Sequence, residues 1–98
     1  MIVLKVDMVV KPGTEDKCVE LIRILQEHSR KEPGCISHHV SIDADDPLTL
    51  HFTERWESME ALKAHFRVPE SRAMWRRVQE LAADPGAMHI YSAEQIRS

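Results

Sequence analysis

A carboxylate, an indole and an imidazole fall within one short segment of this chain, Glu54-Arg55-Trp56-Glu57-Ser58-Met59-Glu60-Ala61-Leu62-Lys63-Ala64-His65. Imidazole titrates near neutrality, so His65 is the first candidate for an acid or base. A histidine that caps a helix or bonds a backbone carbonyl is the plainer reading. The indole of Trp56 can stack on a flat ring or simply fill the core at a strand end. Glu54 lies on an otherwise apolar strand face and needs a partner if buried. Arg72, Arg76 and His65 are the partners on offer, in a structural ion pair or in an arrangement that orients His65. His38 is a second base candidate, or a half-buried polar residue. Met8, Phe52, Met74 and Trp75 have the types and spacing of a pocket lining, and equally of ordinary core.

Other chemistries find less support. His39 and His51, with Asp7, could in principle hold Zn2+. No helical HxxxH or tight ligand cluster accompanies them, and His38 and His39 point to opposite faces of a strand, so no metal site is expected. The cysteines, Cys18 and Cys35, lack CxxC spacing and read as small buried hydrophobes in a reducing compartment. Gly-rich phosphate loops, GxSxG and Walker motifs are absent.

The elements that must position these groups follow from periodicity. Ile2, Leu4, Val6, Met8 and Val10 alternate along a first strand that ends at Lys11-Pro12-Gly13. Thr14 can cap a helix whose first turn holds Glu15 and Asp16, where negative charge suits the dipole. Cys18, Leu21, Ile22 and Leu25 form its stripe, and Pro33-Gly34 stops it after about Lys31. Strands over Cys35 to Asp43 and Leu48 to Trp56 flank an Asp-rich turn and pair as a hairpin. Ile36, His38, Val40 and Ile42 are expected on one face of the former. Matching the apolar faces puts His38 with Glu54 and Trp56, and His39 with His51 on the polar side. Ser58 can cap a short helix through about Phe66. Pro69 suits the first turn of another helix to about Ala83, with Met74, Val78, Leu81 and Ala82 as its stripe. Ala87 to Ala93 reads as a last strand. The order β-α-β-β-α-β, with the second α split, is an α+β, ferredoxin-like pattern: one antiparallel sheet with helices on one face. The other face carries Lys5, Asp7, His39, His51, Thr53 and Arg55 beside Val3 and Val9, and is either solvated or met by a partner's sheet.

A length of 98 residues fits a single domain, residues 1–98. A domain this small leaves much surface uncovered, which favours pairing with a second copy. The formal net charge is −3 with scattered positive residues, which argues against nucleic acid and against an anionic membrane surface. No apolar run is long enough to span a bilayer, and the N-terminus lacks the marks of a signal peptide, so the cytoplasm is the expected location.

In these residues the chain resembles the antibiotic biosynthesis monooxygenase family, in particular its small bacterial quinol-monooxygenase-like members. The resemblance covers nearly the whole chain. It is carried by Lys11-Pro12-Gly13, Glu32-Pro33-Gly34-Cys35, Glu54-x-Trp56, Ala61-Leu62, His65 and Pro69, and is strongest from Glu54 to Trp75. It implies a homodimer whose ferredoxin-like sheets meet as a dimeric α+β barrel, with each pocket between a subunit's own sheet and helices. It also implies oxygen insertion into a small aromatic substrate, a quinol or polyphenol, with O2 and with no flavin, metal or haem cofactor. His65, His38 and Glu54 would then be catalytic, and Trp56, Phe52, Met8, Met74 and Trp75 would hold substrate. The chain departs from the family in having Glu70 where His often follows the proline, and His38 where an aromatic often stands. Relatives that degrade haem have asparagine on the first strand, where this chain has Leu4, Val6 and Met8. A proton-shuttling isomerase or degrading enzyme on the same fold, and a non-catalytic dimeric ligand-binding module, are the alternatives.

Overall fold

The computed structural model describes all 98 residues. The elements run β1 (Ile2–Val10), α1 (Glu15–Ser29), β2 (Cys35–Ile42), β3 (Thr49–Trp56), α2 (Met59–Arg67), α3 (Pro69–Glu80), β4 (Ala82–Asp84) and β5 (Met88–Ser92). The sheet is antiparallel, ordered β2-β3-β1-β4, and β5 also pairs with β1. This is the expected α+β, ferredoxin-like arrangement with a short strand added.

Period-two patterning decides which face is dry. Leu4, Val6, Met8 and Val10 are buried on β1, as are Leu50, Phe52 and Trp56 on β3. Cys18, Leu21 and Ile22 of α1, Leu62 of α2 and Val78 of α3 close over them in one core. Helix starts follow the expected residues, with one difference. Ser58 Oγ accepts the Ala61 N–H at 3.1 Å and caps α2. Thr14 precedes α1 but does not cap it, because its hydroxyl donates to the Lys11 carbonyl at 2.6 Å.

Two expected placements are corrected. Ile36 is not on the inner face: a bulge between Cys35 and Ser37 leaves it 44% exposed, while Cys35 takes the inner position opposite Trp56. One extra residue in a bulged strand shifts everything before it to the other face. Ala82 is not on a helix stripe either. The α3 helix ends at Glu80, and Ala82 pairs with Val10 as part of β4. Beside it, the Lys11 N–H donates to the Leu81 carbonyl at 2.9 Å. The backbone of β1 thus finds a partner there, which outweighs the continuing helical pattern.

Gly34 sets the distance between the α1–β2 turn and α2. Its φ is +83°, and a Cβ there would stand 2.5 Å from the Ala61 Cβ. Only glycine lets the turn approach so closely. Its carbonyl accepts the Glu57 N–H at 2.8 Å, fastening the turn to the β3–α2 connection.

The far face of the sheet is polar and carries a three-residue cluster. His51 Nδ1 stands 2.6 Å from Asp7 Oδ1, and its Nε2 stands 2.7 Å from Asp43 Oδ1. Hydrogen bonds to Asp7 and then Asp43 raise the His51 pKa above its ordinary 6.5. His39 shares this face but pairs across to Thr53, and no group of three or more His, Cys, Asp or Glu side chains has the disposition of a metal site. A raised folded-state value means that the contribution to stability is complete below the unfolded pKa and lost as pH rises through the folded one. Replacing His51 with Gln is therefore expected to lower the urea midpoint more at about pH 6 than at about pH 9. An equal loss at both values would show that the imidazolium contributes nothing.

Candidate functional site

The register brings the candidate groups together. His38 on β2 lies directly opposite Glu54 on β3, and Leu4 on β1 flanks Glu54 from the other side. His65 comes from the last turn of α2. All three are buried, and they line one cavity of about 270 Å³ between the sheet and helices. Leu4, Val6, Leu25, Phe66, Trp75 and Met88 supply its apolar lining, and Ser71, Arg72, Arg76 and Gln79 its remaining polar lining.

Glu54 is the junction of the polar groups. Its Oε1 accepts the Trp56 indole N–H at 3.1 Å and lies 3.8 Å from His65 Nε2. Its Oε2 lies 3.3 Å from His38 Nε2. That contact is within ion-pair range, and His38 Nδ1 has no polar partner. Burial alone would raise the Glu54 pKa. The interaction with His38, the charges of His38 and His65, and the Trp56 N–H together outweigh it and hold the pKa below the ordinary 4.5. The carboxylate is therefore ionised at neutral pH. Its stabilising contribution is complete above about pH 4.5 and fades as pH falls through the depressed value.

A second carboxylate completes the chain of groups. His65 Nδ1 stands 2.5 Å from Glu32 Oε2, and Ser71 Oγ donates to Glu32 Oε1 at 3.0 Å. The carboxylate partner orients the ring through Nδ1 and turns Nε2 toward Glu54. The Trp56 ring packs on the His65 imidazole at 4.6 Å between centroids and 34° between planes. One indole therefore holds both the carboxylate and the imidazole in place. The order His38, Glu54, His65, Glu32 alternates imidazole and carboxylate; the His65–Glu32 link is a hydrogen bond and the other two are ion-pair contacts, so the groups can accept and hold a proton.

The structure divides the other expected site residues. Trp75 lines the cavity and meets Phe52 edge-on at 5.3 Å. Trp56, Phe52 and Met8 are fully buried in the core and do not reach the cavity wall. Met74 is partly buried, packed against the core and also off that wall. Glu54 meets histidines, whereas neither Arg72 nor Arg76 has a carboxylate oxygen within 4.0 Å. Sequence reasoning missed Glu32 and Ser71, which reach His65 only through tertiary packing. Of the cavity stripe on α3 it named Trp75 as lining, took Arg72 and Arg76 only as partners for Glu54 and left out Gln79, although all four recur at helical spacing.

A family model described as antibiotic biosynthesis monooxygenase matches residues 1–77. An uncharacterized protein of Synechocystis sp. is 30% identical over 97 residues, and the chain spans 66% of that relative's length and 99% of its own. A candidate antibiotic biosynthesis monooxygenase from Nitrosomonas europaea superposes with a TM-score of 0.88 at 26% identity, covering 95% of this chain and 98% of that one. A conserved protein from Methanosarcina mazei Go1 superposes with a TM-score of 0.90 at 25% identity, covering 95% and 92%.

Proposed function

The chain belongs to the antibiotic biosynthesis monooxygenase family, and from that premise we propose that it oxygenates a quinol-like or polyphenolic small molecule with O2, its own side chains supplying all the protein chemistry. The observation that carries this reading is the run His38, Glu54, His65, Glu32 beside a cavity of mixed apolar and polar lining. A quinol seated there gives its hydroxyl proton to His65 Nε2. The positive charge that arrives falls between the carboxylates of Glu32 and Glu54, which are fixed before the reaction begins. The electron-rich anion passes one electron to O2, and the two radicals combine at a ring carbon. The peroxide then loses water to leave a hydroxylated quinone. One oxygen atom ends in the product and the other in water, and the substrate supplies all the electrons. Leu4, Val6 and Leu25 give the inner part of the cavity an apolar wall, and Trp75 offers a ring face against which a flat substrate can lie.

Mass spectrometry of the product formed under isotopically labelled O2 tests this. The expected result is one labelled atom per product molecule. A product of unchanged mass and no label would shift the reading to a proton-shuttling isomerase. The same imidazole pair around Glu54 favours that second reading, since one histidine could donate while the other accepts.

The proposal includes a homodimer joined through the polar sheet face. Support comes from β5, none of whose residues is buried, with Tyr91 52% exposed beside the face that carries His51. Light scattering that reported the mass of a single chain would remove this part.

A further inference from the structure

One wall of the cavity carries two exposed positive charges, Arg72 and Arg76, outside ion-pair range of any carboxylate. Arg72, Trp75, Arg76 and Gln79 stand at i, i+3, i+4 and i+7 on α3, so they form one stripe, and all of them line the cavity. Neither arginine has a carboxylate oxygen within 4.0 Å. The arginines with hydrogen-bonded guanidinium groups are Arg30 and Arg55 instead. Acidic residues outnumber basic ones, 16 to 13, so the shortage of partners is local. Like charges four apart on a helix repel, and an anion between them would relieve that repulsion.

A second, independent feature lies in the same cavity. His38 is 1% exposed; its Nε2 stands 3.3 Å from Glu54 Oε2, and its Nδ1 has neither a hydrogen-bond nor an ion-pair partner. A buried polar group left unpaired is costly, and a hydroxyl, which both donates and accepts, would satisfy it. The ionised Glu54 beside His38 repels an anion, so the two ends of a ligand cannot exchange places.

We propose that the cavity selects a hydroxylated aromatic acid, its hydroxyl against His38 and its carboxylate bridged by Arg72 and Arg76. This rests on the oxygenase reading and narrows its substrate to phenols or quinols that carry a carboxylate. Guanidinium groups bind carboxylate through paired, charge-assisted hydrogen bonds, which a neutral ester cannot reproduce. The volume of about 270 Å³ sits near the lower end of small-molecule sites and suits a single ring with a short acidic arm.

The test measures binding without turnover. Quenching of tryptophan fluorescence, to which Trp75 on the cavity wall contributes, is followed under argon. The probes are a (dihydroxyphenyl)acetate with para hydroxyls, its methyl ester, and phenylacetate. The wild-type protein is expected to bind the dihydroxy acid at least about tenfold more tightly than either other probe. In the R72Q/R76Q double variant, acid and ester should differ by less than about twofold. R77Q removes the same charge from the neighbouring position, outside the cavity lining, and should keep the preference. Equal affinity for acid and ester in the wild type, a preference that survives in R72Q/R76Q, or no binding of any probe would overturn the proposal. Selective acid binding without O2 uptake would instead remove the oxygenase reading and leave this one standing. Oxygenation of neutral quinols with no preference for acids would do the reverse.

Discussion

His65→Ala is expected to lower kcat for quinol oxygenation by about 10²- to 10⁴-fold, the range for loss of a positioned acid–base group, with KM little changed. The imidazole touches the cavity through Nε2, while Nδ1 is held by Glu32. No other group has the same pair of attachments: His38 lies 6.4 Å away between ring centroids and its Nδ1 has no polar partner. Added imidazole should restore part of the rate in the alanine variant by occupying the vacated space. Glu32→Gln should act through His65, as a positioning change. It keeps the shape and an accepting oxygen but loses the negative charge that receives the imidazolium, and a loss of about 10- to 100-fold is expected. A His65→Ala enzyme with an unaltered kcat would show that proton removal occurs elsewhere, with His38 the next group to test.

The largest effect on stability is expected at Trp56. Its side chain is fully buried, packs on His65 and donates to Glu54. Truncating a buried aromatic to alanine costs about 3–5 kcal/mol, a large part of the roughly 5–15 kcal/mol that holds a typical domain folded. Trp56→Phe separates the two roles. It keeps most of the ring and removes only the N–H donor, so the buried carboxylate loses a partner at a cost of about 1–3 kcal/mol. Urea denaturation measures both variants. A loss below about 1 kcal/mol for Trp56→Ala would mean that the core closes over the gap, contrary to the close packing of such interiors.

Much of this architecture was legible because alternation and helical spacing are imposed by burial. The residues of β1 declare their inner face one by one, and matching the apolar faces of the hairpin puts His38 on the side of Glu54 and Trp56. The bulge at Ile36 was not legible, since a single extra residue leaves no compositional mark. The strand at Ala82 was hidden by an apolar spacing that a helix would share, and only the open edge of β1 decides between them. At the site, Glu54 and His65 stood out by type and position. By type and position Trp56 suits a stacking surface and a core filler equally; its indole lies behind the site in the core, packed on His65 and bonded to Glu54. Glu32 gave no signal in the sequence beyond its place before Pro33-Gly34. Its role comes from the close approach of that turn to α2, which Gly34 permits and which no local pattern encodes.

The central claim is that these side chains carry out oxygenation by themselves, and O2 consumption by purified, metal-stripped protein tests it most directly. Wild type and His65→Ala are compared on a panel of hydroquinones and anthrone-like phenols, with autoxidation of each compound subtracted. The expected result is uptake well above the blank for at least one compound in the wild type, falling to near the blank in the variant. Uptake at the blank level across the panel, or equal uptake by both proteins, would contradict it.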